Sequence, residues 1–367
     1  GGSATSTTIN SGGYQYVSSG GSATDTTINS GGSQYVSSGG SATNITNDGG
    51  YLSIDGNVTD ITVNGGNNMY SGSATNVTIN GGNNNMYGGS ATSVTINGAG
   101  LNMYGGSATS TTINGGYQNI FGGSATDTTL NSGGYQYIDD SASVTSTTIN
   151  SGGYQSVSSG GSATDTIINS GGILGVSGGG TAVDITQNSG GAISADTSAA
   201  LSGTNINGSF SIANGSASNM LLENGGYLAV LNGHQATDTT INSGGSQYVS
   251  SGGSATSTTI NNGGYQSVSS GGSATDTIIN SGGILGVSGG GTAVDITQNS
   301  GGAISADTSA ALSGTNINGS FSIANGSASN MLLENGGYLA VLNGHQATDT
   351  TINSGGSQYV SSGGSAT

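Results

Sequence analysis

One stretch, SATDTTINSGGSQYVSSGG at residues 22–40, returns in near copies along the whole chain. Cutting before each SAT-like tripeptide gives twenty units over residues 3–364: eleven of 19 residues, four of 17, four of 16 and one of 21. A period of this kind means that each repeat is one building block whose apolar face is too small to bury alone, so the blocks must stack. Length varies while the pattern holds, which a stacked fold tolerates where insertions fall in turns. A longer order lies on top: residues 145–256 recur as 256–367 with one difference, Ser151 against Asn262. The offset of 111 residues is a whole number of units, as recombination in register with the blocks would leave it.

Alternation within the unit predicts strands. In ATNVTING (74–81), Val77 and Ile79 share one face, and Asn76, Thr78 and Asn80 share the other. In SGGYQYVSSGG (11–21), Gln15 and Val17 fall together, with Tyr14 and Tyr16 opposite. Asn-Ser-Gly-Gly and Ser-Ser-Gly-Gly supply the positive-φ corners between strands. Helix is disfavoured, because Gly, Thr, Ser and Asn dominate and no stripe of period 3.6 appears. A corner-strand-corner-strand unit stacked in parallel is a right-handed parallel β-solenoid, all-β, with one 16–21-residue repeat per coil. The expectation is a single continuous solenoid of about twenty coils over residues 1–367, a piece of a longer protein. Inward Thr26 and Gln15, beside Ile28 and Val17, are expected to hydrogen-bond to their copies one coil away; such ladders let 31 % apolar residues suffice.

Charge excludes whole classes of partner. Seventeen acidic residues and no Lys or Arg give a formal charge of −17, so nothing in the chain can neutralise phosphates or anchor on anionic lipid. Nucleic acid is no partner, and no apolar run is long enough to insert in a membrane. The chain has no Cys, hence no disulfide and no thiolate site, in keeping with an exported protein. Catalysis finds no footing either. Glu223 and Glu334 are copies of one position, as are His234 and His345, and adjacent Asp139 and Asp140 would point oppositely on a strand. No enzyme, metal or cofactor is expected.

The unit SATSTTINSGGYQYVSSGG (3–21) and its neighbours resemble the 19-residue passenger repeats of AIDA-type autotransporter adhesins of Gram-negative bacteria, over essentially the whole chain. That resemblance implies an extracellular β-solenoid held at the cell surface by an outer-membrane barrel, with roles in adhesion, autoaggregation and biofilm. It implies a host-cell receptor or glycan as partner. For several members it also implies glycosylation of repeat Ser residues by a protein heptosyltransferase; here the Ser-Ser-Gly-Gly corners carry Ser18, Ser19, Ser37, Ser38, Ser158 and Ser159.

The outward stripe of the first strand is the candidate contact surface. Asp25, Thr27 and Asn29 align with Asp60, Thr62 and Asn64, with Asp127, Thr129 and Asn131, and with Asp238, Thr240 and Asn242. Short polar side chains at a fixed spacing suit lateral self-association of identical rods, in which many weak contacts add up. The sixteen Tyr, among them Tyr14, Tyr16, Tyr35, Tyr135, Tyr154 and Tyr248, make a second stripe; exposed rings can take sugars or a partner, or simply cover the next coil. Two other readings stay open: an inert glycosylated stalk that spaces a tip domain from the cell, and an ice-binding solenoid. Ice binding would favour an outward Thr pair in nearly every coil, whereas Ile167 breaks the column.

Overall fold

The computed structural model describes residues 1–367, which fall into two compact units, Gly1–Asn188 and Ser189–Thr367. Both are built of strands without any helix. In the first unit Ser22–Asn29 and Ser33–Val36 make one coil, and Ser41 opens the next. Successive coils pair in parallel at the same repeat position, Ala4 with Ala23, Ile9 with Ile28 and Gln15 with Gln34. The fold is the parallel β-solenoid that the repeat predicts, one repeat to a coil.

A coil has three segments and three corners where alternation predicts two. Asp25, in the middle of Ser22–Asn29, has φ of 54°, and Cα pairing skips it, running Thr5–Thr24 and then Thr7–Thr26. The chain turns there, so Ala23 and Thr26 both point inward although they are three residues apart. Eighteen of the twenty units carry this left-handed corner, always on Asp, Asn or Ser, from Ser6 to Asp349. Asp and Asn are enriched among the non-glycine residues found in that conformation. The signal was therefore in the sequence, as a column restricted to three residue types. At the Ser-Ser-Gly-Gly corner two glycines have separate tasks: Gly39 adopts φ of 77°, and a Cβ on Gly40 would stand 2.4 Å from the Val17 carbonyl oxygen.

Inside, columns of Ala, Ile and Val run from coil to coil and are fully buried. Between them lies the expected polar column. Gln155 Nε2 donates to Gln136 Oε1 at 2.8 Å and to Thr147 Oγ1 at 3.0 Å, and Thr166 Oγ1 donates to Gln155 Oε1 at 3.2 Å. The Gln155 amide is thus tied to a neighbour on each side, which offsets its desolvation, whereas Gln34 Oε1 is buried without a partner. In the shorter coils Asn takes over: Asn47 donates to Asn68 at 2.6 Å and Asn68 to Asn84 at 3.0 Å. Nearby, Tyr70 occupies an inward position between Ile54 and Met86, its hydroxyl buried without a hydrogen-bond partner. Burial pushes that hydroxyl well above the ordinary tyrosine range.

In the second unit two repeats leave the coil pattern. Residues 200–215 and 311–326 form antiparallel hairpins, Ala200–Asn205 with Gly208–Ala213 and Ala311–Asn316 with Gly319–Ala324. These units do not make the regular coils expected of them. Asn207-Gly208 and Asn318-Gly319, flanked by alternating apolar residues, carry the hairpin signal. Leu312, Phe321 and Ile323 stay buried, so the hairpin shares the core while Ile317 at its tip is 63 % exposed. Past the second hairpin the third-segment sheet closes directly, with Ser305 opposite Tyr338 and Ala306 opposite Leu339. That register is displaced by two positions, which preserves inside and outside.

Candidate functional site

The new corner redistributes the predicted stripe. Asp25, Asp60, Asp127 and Asp238 are exposed at the left-handed corners rather than on one strand face with the Thr and Asn residues. Thr27, Thr62, Thr129 and Thr240 stand half-buried on the second segment, pointing outward. Because the corner reverses the alternation, Thr24 also points outward, on the first segment. Two Thr columns thus flank the corner. The second-segment column is unbroken over nine coils, through Thr8, Thr27, Thr46, Thr62, Thr78, Thr95, Thr112, Thr129 and Thr148, before Ile167 interrupts it. Since the two columns lie on different segments, they do not form one Thr-paired plane.

The Asn column is already engaged within the solenoid. Asn64 Nδ2 donates to Asp48 Oδ1 at 2.7 Å, Asn80 to Asn64 at 2.9 Å, and Asn131 to Asn114 at 2.7 Å. Asn29 likewise donates to Asn10 at 2.8 Å. Asn242 receives Asn261 at 2.8 Å and donates to Glu223 Oε2 at 3.3 Å, while Glu223 Oε1 accepts the Gly190 N–H at 2.6 Å. Acceptor-only carboxylates, Asp48 and Glu223, therefore stand where two of these ladders start, and the Asn29 ladder starts at Asn10. Thr240 is also occupied: Asn207 Nδ2 of the first hairpin donates to its hydroxyl at 3.2 Å. Of the predicted residues, Thr27, Thr62 and Thr129 and the corner Asp side chains face outward together in the first unit, with Asp25 and Asp60 each accepting from the Asn of the next corner, Asn44 at 2.6 Å and Asn76 at 2.9 Å; Asn29, Asn64 and Asn131 hold coils to each other.

Corner Ser residues sit on tight turns. Gly21 N donates to Ser18 O at 2.8 Å, Gly40 N to Ser37 O at 2.8 Å, and Gly161 N to Ser158 O at 2.9 Å. Ser18, Ser19, Ser37, Ser38 and Ser159 are exposed and Ser158 half-buried. Aromatic residues of the first unit mostly stack on each other from coil to coil, Tyr16 on Tyr35 at 4.8 Å and Tyr135 on Tyr154 at 5.4 Å between ring centroids. His234, unremarkable in sequence, has Nδ1 2.8 Å from the buried Thr197 hydroxyl, which accepts the Leu231 N–H at 3.1 Å.

The outward chemistry of this repeat solenoid is hydroxyl, amide, phenol and carboxylate, without a Lys or Arg. The family described as adhesin of bacterial autotransporter system, probable stalk, matches residues 1–50, 202–264 and 313–367. The chain is 65 % identical over 185 residues to autotransporter CRAC of Citrobacter rodentium, covering 45 % of this chain and 12 % of that protein. It is 67 % identical over 61 residues to the autotransporter adhesin/invasin TibA of Escherichia coli O78:H11, covering 17 % of this chain and 6 % of TibA. The chain thus spans a small part of these relatives' length. A crystal structure of a TibA fragment hyper-glycosylated by TibC is 39 % identical, covering 85 % of this chain and 99 % of that one, with a TM-score of 0.43. Over the matched residues the repeats are similar to the passenger repeats of AIDA-type autotransporter adhesins.

Proposed function

We propose that this passenger segment holds identical solenoids together side by side, through the corner Asp and the outward Thr columns, and so promotes autoaggregation and biofilm. The observation that carries this reading is the nine-coil Thr column of the first unit, lying beside exposed corners at a constant spacing. Each exposed hydrogen bond contributes about 0.5–1.5 kcal/mol before ordering costs, so one coil is too weak and a run of coils suffices. With a charge of −17 on each copy, salt should strengthen the association by screening repulsion. Changing Thr27, Thr62 and Thr129 to Glu adds bulk and negative charge to the column and leaves the amide ladders intact. Sedimentation of cells displaying the segment is read beside thermal melting of the purified chain. Slower clumping with unchanged melting supports the contact; unchanged clumping means that the segment is a spacer.

The corner Ser residues Ser18, Ser19, Ser37, Ser38, Ser158 and Ser159 are proposed as acceptors for a protein heptosyltransferase. Their turn geometry supports this, and so does the hyper-glycosylated TibA relative. Intact-mass and peptide analysis after co-expression with such an enzyme checks it. Absence of sugar, or sugar confined to strand Thr residues, overturns it.

A further inference from the structure

In the second unit the aromatic face opens into a groove. Outward residues of five successive rows, aligned by pairing, read Tyr248, Ser267, Gly286, Ser305, Tyr338. Tyr338 reaches this column only because the sheet register shifts by two positions past the second hairpin. At strand spacing the two tyrosines are about 19 Å apart along the column, with three rows of small residues between them. The depression there has a volume of about 320 Å³ and is lined by Tyr265, Ser267, Gly286, Ser305, Asp307 and Tyr338, among others. That lies at the lower end of small-molecule sites.

Three features shape this groove. First, its rings are not consumed by stacking: Tyr338 meets no other ring, and Tyr265 meets Tyr248 edge-on, at 64° and 6.4 Å. Second, Tyr265 lies across Gly286, where a Cβ would stand 2.7 Å from its hydroxyl; the glycine lets the ring form part of the floor. Third, Asp307 is half-buried at the edge with its Oδ1 held by the Ser309 N–H at 2.7 Å and by the Ser309 hydroxyl, which leaves Oδ2 to accept from a ligand.

From this arrangement we infer that the groove binds a short neutral oligosaccharide. Unstacked phenol rings offer faces to the axial C–H groups of a pyranose, the two Ser hydroxyls can exchange hydrogen bonds with its hydroxyls, and Asp307 accepts from one of them. The linear run of rows suits several sugar units placed end to end. Acidic glycans are disfavoured, because the chain carries −17 and no base to pair with a sialyl or sulfate group. This site is separate from the Thr columns and does not depend on lateral association.

The test uses the whole chain, with saturation-transfer NMR on triacetylchitotriose and cellotriose as neutral probes and sialyllactose as the acidic one. Because residues 145–256 recur as 256–367, Tyr227 is changed together with Tyr338. The expected result is transfer to at least one neutral trisaccharide and none to sialyllactose. Tyr338→Ala with Tyr227→Ala should weaken binding roughly tenfold, and the corresponding Phe pair should keep it. A second variant, Ser305→Tyr with Ser194→Tyr, fills the groove with a ring and should abolish transfer in a folded chain. No transfer to either neutral sugar, transfer unaffected by both the Ala pair and the Ser→Tyr pair, or equal transfer to sialyllactose overturns the inference. Cell sedimentation of the Ala pair should not change, which keeps this outcome distinct from that of the lateral contact.

Discussion

Gln155 and Gln136 lie one coil apart with their buried amides 2.8 Å from each other, and Thr147 and Thr166 complete the set on either side. In the next coil the same column holds Leu174, fully buried, so the space accepts an aliphatic side chain. Gln155→Leu therefore tests the hydrogen bonds with little change in packing. It strands the Thr166 hydroxyl and removes one of the two donors to Gln136 Oε1, and should cost about 1–3 kcal/mol in urea unfolding. Gln155→Glu, which adds a buried charge with no cation in the chain, should cost more.

The left-handed corner makes a sharper prediction. Asp127 has φ of 55°, and an ordinary L-residue there costs about 1–2 kcal/mol. Thermal melting should show Asp127→Val destabilised by roughly that amount, with Asp127→Asn and Asp127→Gly within about 0.5 kcal/mol of the parent. Equal melting of the Val variant would mean that backbone strain does not select this column.

Tyr70 sets an alkaline limit. Its hydroxyl is buried and unpartnered, and its pKa is raised above the ordinary 10.0. Above that value the unfolded chain loses the proton while the folded chain keeps it. The stability linked to this group is thus fully present below pH 10 and lost as pH rises further. Tyr70→Phe should stabilise the chain by about 1 kcal/mol at neutral pH, by removing a polar group with no partner. The same variant should lose less stability than the parent between neutral and strongly alkaline pH, measured by denaturant titration at each pH.

Glu334 is 7 % exposed and accepts the Gly301 N–H at 2.5 Å and the Asn353 amide at 3.2 Å. Glu334→Ala leaves both donors unmet and should cost about 2–3 kcal/mol, whereas Glu334→Gln keeps one acceptor and should cost less. Hydrogen exchange at the Gly301 amide reports the loss locally; unchanged protection in the Ala variant would dismiss the carboxylate's part.

Alternation told correctly which way Ile28, Val17 and Thr26 point, because a half-buried strand imposes a period of two whatever its neighbours do. It failed at Asp25, where a polar residue is read as solvent-facing even when its task is to bend the backbone. The hairpins escaped because their 16-residue length matches regular coils such as residues 41–56, although Asn207-Gly208 was the cue. Asn29, Asn64 and Asn131 were legible as outward but not as bonded. Sequence gives the direction of a side chain, and only the coil spacing reveals that its copy is the partner.

The corner column separates two demands that most folds impose on one residue. Backbone geometry there tolerates Asp, Asn and Ser alike, and only Asp among them is charged, so the turn is kept while the charge changes. The solenoid edge is in that sense a writable strip. Exchanging Asp for Asn or Ser, coil by coil, resets the charge pattern presented to the outside without editing the core, so variants of one passenger could diverge in what they attract or repel while remaining interchangeable as folded objects.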